Sequence, residues 1–158
     1  MIHFFELLQV ALGTRDKLSR DPNSKQWEGM LNESDRQTIT GVMLDGIERL
    51  PQEQRPPIDT LLEWIGVVQI IEKQSKVMNQ RSAEVIRMFE DAGFEACVLK
   101  GQGNALMYPV PERRQPGDID VWVRPKGPTG NTDTAYNPPT DAKRYFERNR
   151  KEILKYGI

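Results

Sequence analysis

Apolar residues recur every three to four positions through most of residues 1–92, the spacing of helices that bury one face. The pattern predicts four helices, over residues 2–12, over residues 24–31, from a cap at Ser34 to the break at Pro51, and over residues 58–91. Gly13 and Gly93 follow the first and the last of these segments, and glycine is favoured just past a helix end. Residues 1–92 are therefore predicted to form a helical region.

Shorter apolar segments replace the helical pattern in residues 93–158. Ala96–Leu99 has the short apolar run of a buried strand, and Ile119–Val123 alternates between apolar and polar positions as a half-buried strand does. The sequence also predicts a turn at Lys100–Gly103, a short helix at Asn104–Tyr108, a flexible loop over residues 124–140 and a charged helix over residues 141–156. The chain is therefore predicted to have an α+β fold, in which the helical region packs on a small mixed sheet.

Two strands do not make a stable sheet on their own. Three arrangements would complete this one: strands from a later part of a longer chain, cover from the helices, or a second copy of the chain in a homo-oligomer.

The composition argues against several kinds of site and partner. The net charge is −1, whereas a protein that binds duplex DNA usually has a strongly basic face, so no duplex DNA is expected. One cysteine and one histidine are too few for a typical zinc site, and the apolar neighbours of Cys97 predict a buried structural thiol. No apolar run approaches membrane-spanning length and no basic leader precedes the apolar start, so we expect a cytoplasmic protein without a membrane partner.

An acidic pair in the second predicted strand carries the most specific chemistry. Side chains two residues apart in a strand point the same way, so Asp118 and Asp120 share one face and Ile119 lies on the other. Neighbouring carboxylates repel each other unless a cation neutralises them, and Mg²⁺, or Mn²⁺ in its place, does so while also binding substrate phosphates. Gly117 leaves room for backbone or substrate to approach. Trp122 shares the acidic face, where filling the wall of a cleft is favoured over stacking on a base.

The turn after the first strand has the complementary character. Lys100, Gly101, Gln102 and Gly103 end a strand and open a short helix, an arrangement that presents N–H groups and a positive charge to an anion. Arg113 and Arg114 are candidates for further bidentate contacts with phosphate. Together with the acidic pair, the turn predicts a cleft for a metal–triphosphate complex.

These segments resemble the nucleotidyltransferase superfamily that includes DNA polymerase β, and more narrowly a family of uncharacterised bacterial nucleotidyltransferases. The resemblance lies in Leu99-Lys100-Gly101, Tyr108-Pro109, Arg114 and Gly117-Asp118-Ile119-Asp120. It implies that residues 93–158 form part of a catalytic core that transfers a nucleoside monophosphate from a nucleoside triphosphate to an acceptor hydroxyl. The implied metal ligands are Asp118 and Asp120; the implied phosphate-binding residues are Lys100, Gly101, Gln102, Gly103, Arg114 and Gly117. For such an activity we expect the acceptor to be a small molecule, a protein side chain or an RNA end.

The chain departs from the superfamily pattern in two places. Gln102 stands where the superfamily has a serine, and no later segment has the apolar–acid–apolar pattern of the strand that supplies a third carboxylate. A fragment or a degenerate relative is therefore expected. The alternatives to an active transferase are a nucleotide-binding regulatory module without turnover and a helical protein-interaction domain.

Overall fold

A computed structural model describes residues 2–126 of the chain. The helices are α1 (Ile2–Ala11), α2 (Ser24–Arg36), α3 (Thr40–Arg49), α4 (Ile58–Asp91) and α5 (Gln102–Ala105), and the strands are β1 (Phe94–Val98) and β2 (Val121–Pro125). Short 3₁₀ turns cover Gln52–Gln54 and Pro111–Arg113. The predicted α+β fold with a small sheet is confirmed. The helix predicted over residues 141–156 and most of the loop predicted over residues 124–140 lie outside the described residues.

The apolar pattern predicts the helix bounds more accurately than the candidate capping residues do. The bounds of α1 and α4 agree with the prediction to within one residue, and Gly13 and Gly93 have the positive φ expected after them. The predicted cap at Ser34 is wrong, because this residue lies buried inside α2 and its hydroxyl donates to the Leu31 carbonyl at 2.8 Å. Helix α3 begins after Ile39 without a side-chain cap. The strands β1 and β2 and the short helix α5 all begin at residues other than the predicted ones. No helix of residues 2–126 is long and apolar enough to cross a membrane.

The described residues fall into two compact units. The first contains the residues up to Ser75 together with Tyr108–Gln115, and the second contains Lys76–Met107 and the described residues from Pro116 onward. The boundary therefore lies within α4, whereas the sequence pattern places it after residue 92. The division into a helical region and a partial catalytic core stays a prediction.

Apolar residues of the first four helices and of the segments between them fill the core of the first unit. Its buried members are Phe4, Leu7, Val10, Leu18, Trp27, Met30, Met43, Leu44, Ile47, Leu50, Trp64 and Val68. Gly46 brings α3 close to α1, since a Cβ atom there would lie 2.8 Å from the Leu7 carbonyl oxygen. Arg49 donates to the Ala11 carbonyl at 2.7 Å, so a cation stabilises the C-terminal end of α1.

A buried carboxylate, Glu6, connects α1 to the segment that follows it. Its Oε2 accepts from the backbone N–H of Ser19 at 3.1 Å and from the Ser19 hydroxyl at 3.0 Å, while Arg15 lies 3.0 Å from Oε1. Burial acts to raise the pKa of Glu6, but the hydrogen bonds from Ser19, the charge of Arg15 and the contact with His3 together lower it. The first unit is therefore stabilised by the ionised form of Glu6.

Acid is expected to remove this contribution. Because the folded-state pKa lies below the ordinary value of 4.5, the stabilisation is present above about pH 4.5 and is lost as the pH falls through the folded-state pKa. Glu6→Gln should lower the free energy of unfolding at pH 7 by about 1–3 kcal/mol, the usual cost of weakening a buried hydrogen-bonded group. Urea unfolding of the parent and of Glu6→Gln at pH 7 and at pH 3 measures the contribution of Glu6 and its loss in acid. A difference between Glu6→Gln and the parent that does not shrink on acidification would contradict the assignment.

The second unit packs its two strands on the C-terminal part of α4. Strands β1 and β2 are antiparallel, and Ala96 pairs with Val123 in the register. Val121 and Val123 contact the buried cluster of Val85, Phe89 and Phe94, in which the two phenylalanine rings meet edge to face at 6.3 Å. One face of the strand pair is therefore buried, and the residues between these positions lie on the other face.

Candidate functional site

The acidic pair precedes β2 directly and continues its alternation. Strand β2 begins at Val121, two residues later than the sequence predicts, but the Leu99 N–H still donates to the Asp120 carbonyl at 2.9 Å. Ile119 is buried, whereas Asp118 is exposed and Asp120 is partly exposed. Both acids are thus accessible, and the apolar residue between them belongs to the interior.

The turn after β1 lies against the backbone of the acidic segment. Gly101 has a φ of +51°, and a Cβ atom there would lie 3.2 Å from the Asp118 carbonyl oxygen. The Gly103 N–H donates to the Lys100 carbonyl at 2.8 Å, and a Cβ atom at Gly103 would lie 3.1 Å from the Val98 carbonyl oxygen. A glycine is therefore required at position 101 by conformation and is favoured at both positions by close approach. The structure brings Lys100, Gly101 and Gly103 together with the acidic pair.

Lys100 forms an ion pair with one of the two acids. Its Nζ lies 3.3 Å from Asp120 Oδ1, and the side chains are 71% and 39% exposed. An ion pair this accessible contributes at most about 1 kcal/mol, because water and salt screen it. Lys100 can therefore leave Asp120 at little cost when a cation and an anionic ligand arrive.

Gln102 holds the turn rather than projecting from it. The side chain is buried, and its Nε2 donates to the Asn79 side-chain oxygen of α4 at 2.6 Å. This contact fixes the position of α5 and therefore of the glycine turn before it. The contact between Gln102 and phosphate stays a prediction, and the buried side chain favours a backbone contribution. No local pattern in the sequence indicates that Asn79 would contact the turn.

The two neighbouring arginines have different surroundings. Arg113 is 16% exposed in its side chain and contacts Asp45 at 2.5 Å, Glu48 at 2.7 Å and Glu72 at 3.2 Å. The hydrogen bond to Glu48 raises its pKa most; burial opposes the shift, and the hydrogen bonds to Asp45 and Glu72 add to it. Arg113 thus anchors the first unit, and the expected phosphate contact of this residue is not supported. Arg114 also belongs to the first unit and donates to the Gln115 carbonyl at 3.1 Å; its phosphate contact stays a prediction.

Two further residues differ from or refine the sequence interpretation. Cys97 is exposed, so the prediction of a buried thiol is wrong. Side chains along a strand alternate in direction, and Cys97 pairs with Trp122 on the outward face.

Gly117 is exposed, and a Cβ atom there would meet nothing within 4 Å. The space beside Gly117 is therefore open for a ligand to approach the backbone.

The donor set fits a magnesium–phosphate complex better than a metal held by protein alone. Among residues 2–126, no three His, Cys, Asp or Glu side chains are grouped so that they could share a metal ion. Mg²⁺ is usually bound through one or two carboxylates, with water and substrate phosphates completing its six ligands. Asp118 and Asp120, with the Lys100 ammonium beside them, match this requirement.

Comparison with known proteins gives one finding about the family. No curated protein and no solved structure matches the chain. The family described as uncharacterised nucleotidyltransferase matches residues 23–129, about two thirds of the sequence. The matched region contains the turn after β1, the acidic pair and most of the helical region. The chain therefore belongs to this family of uncharacterised nucleotidyltransferases, and membership indicates nucleotidyl transfer as its general activity.

Proposed function

We propose that Asp118 and Asp120 bind Mg²⁺ or Mn²⁺ with a nucleoside triphosphate, and that the protein transfers the nucleoside monophosphate to an acceptor hydroxyl. One observation carries the proposal: the Lys100–Gly103 turn lies directly against the backbone of the acidic segment. Leu99 N–H donates to the Asp120 carbonyl, and Gly101 leaves only 3.2 Å between an ideal Cβ position and the Asp118 carbonyl oxygen. Groups suited to a metal ion and to phosphate are therefore side by side.

The residues of the turn and the acidic pair have separate tasks. Asp118 and Asp120 hold the divalent ion, which when bound supplies charge neutralisation and polarisation of the phosphate oxygens. Lys100 exchanges its ion pair with Asp120 for a contact with phosphate, and Gly101 and Gly103 allow the phosphates to approach the backbone. The acceptor oxygen forms a bond to the α-phosphorus, the bond between the α- and β-phosphates breaks, and pyrophosphate leaves. The proton of the acceptor hydroxyl passes to solvent water, since no further carboxylate is grouped with Asp118 and Asp120 among residues 2–126.

Nucleotide binding without turnover is the second candidate function. It is favoured by the absence of a third carboxylate grouped with Asp118 and Asp120 in the part of the chain that the structure describes. In this case the same residues bind the metal–triphosphate complex and no pyrophosphate is released.

Binding and transfer assays test the two candidates in order. A ligand at about 100 times its dissociation constant adds roughly 2.7 kcal/mol of stability, or about 5–10 °C in melting temperature for a protein of this size. We expect this stabilisation from a nucleoside triphosphate with Mg²⁺ and not after chelation of the metal. Transfer of an α-³²P label, tested with protein, RNA and small-molecule acceptors, separates the transferase from the binding module. No stabilisation by any triphosphate with Mg²⁺ or Mn²⁺ rejects both.

Gly117→Ala is expected to weaken triphosphate binding without harming the fold. Its Cβ atom would enter open space, so the free energy of unfolding should change by no more than about 0.5 kcal/mol. If the triphosphate approaches the backbone at this position, as we propose, the added methyl group should lower its affinity by roughly tenfold, equivalent to about 1.4 kcal/mol. Isothermal titration with Mg²⁺ and a nucleoside triphosphate measures the change.

Gly101→Ala makes a contrasting control. Its φ of +51° and the 3.2 Å approach to Asp118 oppose a side chain, so this variant should lose both stability and binding. Unchanged affinity in stable Gly117→Ala would place the phosphates elsewhere.

A further inference from the structure

An exposed tryptophan lies beside the acidic pair on the outward face of β2. Trp122 is 38% exposed, whereas Trp27 and Trp64 are 1% and 0% exposed. It follows Asp120 by two residues, and because Asp120 accepts from Leu99 of the neighbouring segment and continues the alternation of β2, both side chains point to the same side of the strand pair. A large apolar ring in this place has no part in the buried cluster of the second unit and is accessible to a ligand.

Arg124 contacts the indole ring of Trp122. The guanidinium carbon of Arg124 lies 5.5 Å from the ring centroid, within the range of a cation–π contact. Arg124 Nε in turn donates to Glu95 Oε2 at 2.5 Å, and these two residues are register partners across the strands. The contact with Arg124 favours one position of the ring, so the ring has less freedom to lose when a second planar group stacks on it.

The residue opposite Trp122 on the neighbouring strand is small and does not bury the ring. Cys97 is its register partner on β1, and the small side chain of Cys97 is itself exposed. A planar ligand therefore has access to the ring from solvent.

We propose that Trp122 is the stacking platform for the base of the nucleotide whose triphosphate binds at Asp118 and Asp120. This inference rests on the proposed function. Residues in a strand advance by about 3.3 Å each, so Trp122 lies about 7 Å from Asp120 and about 13 Å from Asp118 along the chain. A ribose with its first phosphate bridges the shorter of these separations, between the indole ring and Asp120. The metal-bound phosphates and the base of one nucleotide can therefore reach the acids and the indole together.

Stacking of this kind predicts a particular selectivity. Every base has a planar face, so stacking contributes affinity without hydrogen bonds that select one base. Purines cover more of an indole ring than pyrimidines do. We therefore expect all four nucleoside triphosphates to bind, with the purine nucleotides binding more tightly.

Fluorescence quenching tests the platform in the full chain. Acrylamide should quench Trp122 and hardly reach Trp27 or Trp64, and the spectrum of Trp122→Phe supplies the background of the two buried residues. Saturating ATP with Mg²⁺ should shield Trp122 from acrylamide, whereas inorganic tripolyphosphate with Mg²⁺ should bind and leave Trp122 accessible. Trp122→Ala should lose about 5- to 150-fold in ATP affinity, the usual range for one base stacked on an aromatic ring, and should bind tripolyphosphate as the parent does. Trp122→Phe should retain most of the affinity for ATP.

The outcomes separate this inference from the proposed function. If ATP and tripolyphosphate both bind, but Trp122 stays accessible to acrylamide and Trp122→Ala binds ATP normally, the stacking platform is rejected and the phosphate site stands. If Trp122→Ala loses affinity equally for ATP and for tripolyphosphate, Trp122 supports the phosphate site and does not stack on a base. If neither ligand binds, the proposed function fails and the platform fails with it.

Discussion

Asp120→Asn is expected to lower the affinity for a metal–triphosphate complex by at least about 100-fold and to abolish any transfer activity. The loss of a group in the outer shell of a metal site costs about 10- to 100-fold in affinity or activity, and the loss of a direct ligand should cost more. Asparagine keeps the shape of the side chain but removes the charge that attracts the cation. Titration with Mg²⁺ and a nucleoside triphosphate, followed by the labelled transfer assay, measures both effects.

The stability of the free protein shows whether this loss arises at the site. Asp120→Asn removes the exposed ion pair with Lys100, which contributes at most about 1 kcal/mol, and it also relieves repulsion from Asp118. The melting temperature without ligand should therefore hardly change. Asp91→Asn is a matched control, since it makes the same chemical change at an exposed acid of the second unit. Equal ligand affinity in Asp120→Asn, Asp91→Asn and the parent would show that Asp120 does not hold the metal.

Local periodicity was sufficient to predict most of the fold. The prediction of α4 is correct over its whole length, because apolar residues such as Val68, Val85 and Phe89 recur at helical spacing on the buried side. The alternation of Ile119, Val121 and Val123 likewise indicated which side of the second strand is buried. Both periodicities are set by residues close together along the chain, so they can be recognised from one sequence without a structure.

The errors arose where a residue depends on partners distant in sequence. Ser34 has the character of a cap, but the apolar contacts of Trp27 and Met30 continue α2 past it into the interior. Nothing local distinguishes Arg113 from Arg114; the difference lies in the carboxylates of Asp45 and Glu72, which precede Arg113 by 68 and 41 positions.

The candidate site was predictable in residue type and less so in geometry. A carboxylate pair after glycine indicates a metal site from chemistry alone, and the glycine-rich turn indicates an anion site. Their proximity depends on the antiparallel register, in which Val98 pairs with Val121. A shift of one residue would turn the other faces of the strands inward. The exposure of Cys97 is also a consequence of this register, because its apolar neighbours in the sequence do not reveal which strand residue it pairs with.

Arg113→Ala is expected to lower the free energy of unfolding by about 3–5 kcal/mol, the cost of leaving a buried charge without its partner. The side chain of Asp45 is only 10% exposed, so water cannot replace the guanidinium that it contacts at 2.5 Å. Glu48 and Glu72 are more exposed and can recover hydration. Urea unfolding followed by the fluorescence of Trp27 and Trp64, both buried in the first unit, measures the loss.

Two further variants test whether the cost of Arg113→Ala comes from the charge of Asp45. Arg114→Ala removes the same side chain one position later, where the guanidinium donates to the adjacent Gln115 carbonyl, and should cost less than about 1 kcal/mol. Adding Asp45→Asn to Arg113→Ala should restore part of the lost stability, because no charge is then left uncompensated in the interior. Equal stability of Arg113→Ala and Arg114→Ala would show that the ion-pair network does not hold the Tyr108–Gln115 segment on the first unit. A double variant less stable than Arg113→Ala would assign the loss to the packing of the arginine side chain rather than to its charge.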